Sequence, residues 1–508
     1  MTTRSVDEDF SALPLRNLAD SALTRARELG AGHADLRVER VRSSAVHLRD
    51  GRLAASGDDT DTGLAVRVLV DGVWGFAAAT DLTARAAVEA AEQAVALARV
   101  STPLASERVE LADEPVHADV EWVSEYVTDP FDVPSAERAE LLSSWSARLM
   151  AGGADHVDAA VMAVKEQKFY ADLAGTTTLQ QRVRLNPDVT VVAASSENVE
   201  TMRSLAPGCA RGWEYLVGTA EQGAWAWDEE LATLPDLATE KLKAPTVEAG
   251  TYDLVIDPSN LWLTIHESIG HATELDRALG YEAAYAGTSF ATIDQLGSLQ
   301  YGSEHMHVTG DRTAPNALAT VGYDDEGVQT QSWDIVRDGV LVGYQLDRAM
   351  ARQNSERIGV ARSNGCAFAD SAGHVPLQRM ANVSLQPAEG GPSTDELIAG
   401  VDRGIYVLGD KSWSIDMQRY NFQFTGQRFY RIEHGRLAGM LRDVAYQATT
   451  TDFWRSMTRV GGPQTYVLGG AFNCGKGQPG QIAAVSHGCP AATFRQVRIL
   501  NTNEEGRA

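Results

Sequence analysis

The stretch LTIHESIGHATELD, residues 263–276, places two histidines and a glutamate as His266-Glu267-x-x-x-His271. The familiar zinc-hydrolase helix reads H-E-x-x-H, one residue shorter, which aims both imidazoles at a point about 2 Å from each. On a regular α-helix, positions i and i+4 lie about 40° apart around the axis, and i and i+5 about 140° apart. His266 and His271 would then diverge. One π-turn, closed by an i→i+5 hydrogen bond, returns them to the same face, and such bulges occur mostly at functional sites. The spacing predicts either a metal-binding helix with a π-bulge or a buried, hydrogen-bonded histidine pair. Gly270 is the residue expected to tolerate the distorted backbone.

On the metal reading, Glu267 stands beside the first ligand, placed to take a proton from the attacking water. A third protein ligand is still needed. Candidates are Glu274 and Asp276 farther along, His305 and His307 in EHMH, and Cys474 in NCGKGQPG. Each has a structural alternative. EHMH reads as an alternating strand with both histidines on one face, and CGKGQPG as a glycine-rich turn. SHGCP sets His487 beside Cys489, too near in sequence for a Cys-His nucleophile pair. Cys209 and Cys366 read as small packing residues.

The flanking chain divides in two. LRNLADSALTRARELGA (15–31), LTARAAVEAAEQAVALARV (82–100) and SAERAELLSSWSARLMAG (135–152) carry apolar residues at helical spacing. Between them, ADLRVERVRSSAVHLRDGRLAASG (34–57) and TGLAVRVLVDGVWGFAAAT (62–80) alternate as strand pairs around Asp50-Gly51 and Asp71-Gly72. Further strands are expected from about 156 to 199. Residues 220–250, with TLPDLATEKLKAPTVEAG, read as a connection. The expected domains are therefore an α/β unit over 1–245 and a β-rich unit over 246–508 that carries the metal helix. TYDLVIDPSN (251–260) is a strand running into that helix, with Asp257 as N-cap and Pro258 at its first position. DIVRDGVLVGYQLD (334–347) and YRIEHGRLAGMLRD (430–443) read as two hairpins of one large sheet.

Composition narrows the class. A length of 508 residues exceeds one compact core. The 69 acidic residues against 44 basic ones give a net charge of −25, which repels phosphate backbones and argues against a nucleic-acid partner. Four cysteines in so long a chain do not form a disulfide framework, and a reducing, cytoplasmic setting is expected. MTTRSVDEDFSALP lacks the apolar core of a signal peptide. No apolar run reaches the length of a membrane span.

Several motifs together resemble the TldD/PmbA family of zinc metalloproteases. HESIGHATELD is similar to that family's H-E-x-x-x-H-x-x-E-x-D segment. The likeness continues through DDEGVQTQSWDIVRDGVLVGYQLDR, ARSNGCAFADSAGHVPLQRMANV, GIYVLGDKSWSIDMQRYNFQFTGQRFYRIEHGRLAGMLRD and NCGKGQPGQIAAVSHGCPAATFRQVRI, in the family's order. The resemblance implies one zinc ion per catalytic chain, held by His266, His271 and Cys474, with Glu267 as general base. Glu274 and Asp276 then become orienting groups, and Lys476 a candidate to steady the thiolate or the oxyanion. It also implies a dimer, formed with a PmbA-type partner that lacks the metal motif or with a second copy, that admits unfolded peptides. Cys366 and Cys489 depart from the family pattern. Two rival readings remain at this stage: a non-catalytic peptide-binding subunit, and a metal hydrolase of small amides.

Overall fold

The computed structural model describes residues 4–477 and 480–505. The first part of the chain builds one sheet, antiparallel except for the short strand Val120–Val123, largely from unusually long strands. In spatial order they are Val73–Ala79, Arg52–Val70, His33–Arg49, His156–Asp172 and Thr177–Ala194. Val120–Val123 and Val199–Arg203 both pair with the last of these. The hairpin turns fall where the Asp-Gly pairs predict them. Asp50 and Gly51 have φ of 51° and 73°, and Asp71 and Gly72 of 50° and 74°, the left-handed pair that a two-residue hairpin needs.

Alternation along His33–Arg49 sends Ala34, Leu36 and Val38 to the face covered by the helices Leu15–Glu28 and Ala84–Ser101. A second pair, Ser135–Ala151 and Trp227–Lys243, covers the far end of the sheet. The opposite face of such a sheet commonly meets water. Here it is buried too. Arg37 and Lys168 reach Asp325 at 3.3 and 2.8 Å, and Arg67 reaches Glu326 at 3.0 Å, so the polar face docks onto the second half of the chain. Buried pairs of this kind set the register of the two halves more than they add net stability.

Trp227–Lys243 corrects the reading of residues 220–250 as a connection. Pro235 and Pro245 in that stretch suggested a linker, yet Trp227, Leu231, Leu234 and Ala238 recur at helical spacing and are buried. Pro235 stands inside the helix. Packing of the apolar stripe outweighs the loss of one backbone hydrogen bond.

The second half is β-rich. Arg403–Ile415, Gly250–Ile256, Ala492–Asn501, Val444–Thr449 and Asn421–Glu433 pair in a ring, because the last strand also bonds back to the first. Closure leaves no bare edge among these five. An aromatic cluster fills the core, with Phe453 stacked on Phe494 at 4.2 Å and Tyr446 and Trp454 beside them. A smaller sheet holds Val308–Asp311, Ser332–Arg337, Val340–Leu341 and Asn382–Leu385. The two hairpins at 334–347 and 430–443 thus lie in different sheets, not in one. Their similar spelling reflects the shared turn chemistry of Asp338-Gly339 and His434-Gly435, each with two positive φ values. A separate two-stranded ribbon, Val467–Lys476 with Gln481–Cys489, lies against the helix that follows Gly250–Ile256.

Candidate metal centre

Asp257 caps that helix by accepting from the Ser259 amide at 3.0 Å, and Pro258 takes the first position. Pro258–Ile265 is α-helical, His266–Gly270 is a π-turn, and His271–Thr273 is a 3₁₀ turn. The His271 amide donates to the His266 carbonyl, the i→i+5 bond predicted from the spacing. Side chains satisfy the backbone that the bulge disturbs. Thr273 Oγ1 donates to the Ile269 carbonyl at 2.8 Å, and Gln345 Nε2 to the Gly270 carbonyl at 2.7 Å.

The role expected of Gly270 needs correction. Its φ and ψ are −53° and −59°, ordinary for any residue. Glycine is favoured there for space, since a Cβ would stand 2.5 Å from the Met380 sulfur, which would have to shift.

The bulge brings the two imidazoles together, with ring centroids 4.7 Å apart. Cys474 comes from the ribbon strand Val467–Lys476, not from a turn, and Gln478 and Pro479 beyond it lie outside the described residues. Gly469 lets that strand lie against the helix, because a Cβ there would meet Trp262 at 2.4 Å. One donor atom from each of His266, His271 and Cys474 lies within 4.8 Å of the others. The Cys474 sulfur is 3.7 Å from His271 Nε2. Zinc–sulfur and zinc–nitrogen bonds of about 2.3 and 2.05 Å at the tetrahedral angle would set those atoms about 3.6 Å apart. Two imidazoles and a thiolate thus fit a zinc-type metal in chemistry, and the Cys474–His271 pair fits it in spacing. Burial holds the His266 and His271 pKa below the ordinary value, and therefore neutral, as ligation requires. Burial also pushes the Cys474 thiol up to about 11, so metal uptake must displace its proton.

Each histidine has an outer partner. His271 Nδ1 meets Glu274 Oε2 at 2.9 Å. Burial alone would raise the Glu274 carboxyl, but Lys476, His271 and Arg277 hold it well below its usual range. Lys476 Nζ reaches Glu274, Asp276 and Glu282 at 2.9, 3.0 and 3.2 Å. It serves these carboxylates, which corrects the expectation that it steadies the thiolate or an oxyanion. His266 Nδ1 meets His487 Nε2 at 2.7 Å, and His487 Nδ1 meets the Val383 carbonyl at 2.8 Å.

Glu267 is buried and lines the cleft, with Oε2 held 2.6 Å from Arg419 Nη1. Arg419 sits at φ 63° in a tight turn tied down by Asp416, which accepts from the amides of Gln418, Tyr420 and Asn421. The sequence reading missed Arg419 and gave His487 no role here. Their only local signals are a charged residue at a strand turn and a histidine in a β-run.

Other candidates fall away. EHMH is not a strand: Met306 is fully buried, His305 is exposed, and His307 pairs with Asp334 at 3.0 Å. Asp276 faces Lys476, and Cys489 points at the Pro258 carbonyl. The donors open into a cleft of about 600 Å³ between the ribbon strand and residues 203–208 of the first half.

Comparison with known proteins identifies the family. The family model described as the PmbA/TldA metallopeptidase C-terminal domain matches residues 249–501, and that of metallopeptidase domain 1 matches residues 34–98. A metalloprotease of Methanothermobacter thermautotrophicus is 27% identical over 475 residues, 92% of this chain and 96% of that one. A zinc metalloprotease TldD homolog of Saccharolobus solfataricus is 23% identical over 489 residues, 94% of this chain and 98% of its own. TldE from Thermococcus kodakarensis shares the fold at a TM-score of 0.69 and 15% identity, over 94% of this chain and 99% of that one. With the family's domains matched in order around a helix whose bulge gathers two histidines and a cysteine, the chain belongs to the PmbA/TldD family of metallopeptidases.

Proposed function

We propose that this chain is a zinc-dependent peptidase of unfolded or extended peptides, with one ion per chain held by His266, His271 and Cys474. The observation that carries the reading is the convergence of those three buried donors beside Glu267 at the floor of the cleft. A bound zinc ion supplies a Lewis acid for the scissile carbonyl and for the attacking water. Glu267 takes the water's proton on Oε1 and passes it to the leaving amine, while Arg419 fixes Oε2 and so the direction of the carboxylate.

Among the described residues Val467–Lys476 pairs only with Gln481–Cys489, and the strand lines the cleft. A peptide added as a further strand would be held by its backbone, with little demand on side chains. An open edge and a cleft of this size favour an extended peptide over a small amide. The intact donor set favours a catalytic chain over a purely binding subunit. We also propose a division near residue 245, a cytoplasmic setting and a dimer with a PmbA-type partner or a second copy. The likeness to TldE supports the partnership, and no helix among the described residues is long and apolar enough to cross a membrane.

Zinc analysis and cleavage of an unfolded polypeptide test this together. Glu267→Gln is expected to keep the metal and to lose about 10²–10⁴-fold in turnover. A wild-type chain without zinc, or unchanged cleavage by Glu267→Gln, would overturn the reading.

A further inference from the structure

The partner of His266 Nδ1 is a second histidine, His487, and the hydrogen bonds around it leave one arrangement of protons. His487 lies on Gln481–Cys489, flanked by two bonds that pin the strand. Asn382 Oδ1 accepts from the Ser486 amide at 3.2 Å, and Ser384 Oγ accepts from the Gly488 amide at 2.9 Å. Its ring stacks parallel to Trp262 at an interplanar angle of 8°. His487 is fully buried, and its ring nitrogens meet only the Val383 carbonyl and His266 among the described residues.

A carbonyl oxygen can only accept, so His487 Nδ1 carries a proton and donates to Val383. Fully buried and with no carboxylate within bonding distance among the described residues, the ring is neutral, which leaves Nε2 as a bare acceptor. At 2.7 Å from that acceptor, His266 Nδ1 must be the donor. The one lone pair left on His266 is then on Nε2.

We propose that His487 is a positioning residue for the metal site: the chain His266–His487–Val383 locks His266 into the tautomer whose free nitrogen is Nε2 and fixes the plane of its ring. The proposal rests on His266 being a ligand. It gives His487 the task that carboxylates or carbonyls usually perform for metal-binding histidines, through an imidazole that relays a backbone carbonyl and adds no charge.

Two measurements on the full chain test it. The first is a long-range ¹H–¹⁵N spectrum of metal-free protein labelled at histidine, with resonances assigned through His266→Gln and His487→Gln. His266 is expected as the Nδ1–H tautomer in the wild type; an Nε2–H tautomer or a mixture overturns the wiring, whether or not any variant folds. The second is zinc affinity by competition with a chromophoric chelator. His487→Leu fills the space but accepts nothing, and is expected to weaken zinc about 10–100-fold. His487→Gln keeps an acceptor near the depth of Nε2 and is expected to restore most of that loss. Equal weakening in both variants, or wild-type affinity in His487→Leu, overturns the positioning role. His271→Ala is the separate control on the metal reading. If it retains zinc, or the wild type takes up none, that reading fails and this one with it; if only His271→Ala loses zinc, this one fails alone.

Discussion

The two histidines of the site share a helix and a task but are held in opposite ways. Behind His271 lies a charged cluster, with Glu274 accepting from the ring and Lys476 and Arg277 balancing Glu274, Asp276 and Glu282. Behind His266 lies a neutral relay of His487 and a backbone carbonyl. The charged side raises the basicity of its ligand and makes the site depend on buried ions. The neutral side fixes direction without bringing charge. In the proposed zinc site the Cys474 thiolate would already supply one negative charge, and a carboxylate behind only one histidine would limit the charge gathered around the metal.

Lys476→Met should separate the two sides most sharply. It removes the shared cation of three buried carboxylates, and leaving buried charge uncompensated costs about 3–5 kcal/mol. Chemical denaturation of the metal-free protein should show that loss. His487→Gln on the neutral side should cost only about 1 kcal/mol, the scale of an exchanged neutral hydrogen bond. Comparable losses would mean that the charged cluster is no more critical to the fold than the relay.

Glu274→Gln asks a narrower question, because it keeps an acceptor for His271 Nδ1 and removes the charge. Zinc affinity should fall about tenfold, within the range seen when outer partners of a ligand are changed. Stability should change less than in Lys476→Met, since Asp276 and Glu282 still engage the lysine. An affinity equal to wild type would show that only the orientation of His271 matters. The two histidines would then be held alike in effect, if not in chemistry.

What the sequence disclosed about this site follows from the range of the interactions. The π-turn was legible because H-E-x-x-x-H is a local spacing set against a fixed helical period. The Asp-Gly hairpins were legible because two positive φ values demand those residues. The proposed metal donors needed more: His266 and His271 are neighbours, but Cys474 lies about 200 residues on, and only the family resemblance favoured it over His305 or Asp276. His487 and Arg419 stayed hidden for the same reason, standing 221 and 152 positions from their partners His266 and Glu267. The helix Trp227–Lys243 was hidden differently. Its apolar spacing was present, but two prolines weighed more in a local reading than a stripe whose value appears only on packing.

Gly270→Ala tests the element common to both sides, the bulge itself. The backbone there is ordinary, so alanine meets no conformational barrier, and helix propensity alone would make the change favourable. The obstacle is Met380, whose sulfur and methyl carbon would lie 2.5 and 2.9 Å from the new carbon. Both are the flexible end of a side chain, so the cost should be that of modest overpacking, about 1–2 kcal/mol. Pairing the change with Met380→Ala should return part of that cost, with a cavity left where the thioether was. The same double variant should recover zinc affinity if the clash had tilted the helix. Recovery of stability without recovery of zinc would mean that Met380 also sets the spacing of His266 and His271, and that the bulge takes its geometry from packing as well as from its hydrogen bonds.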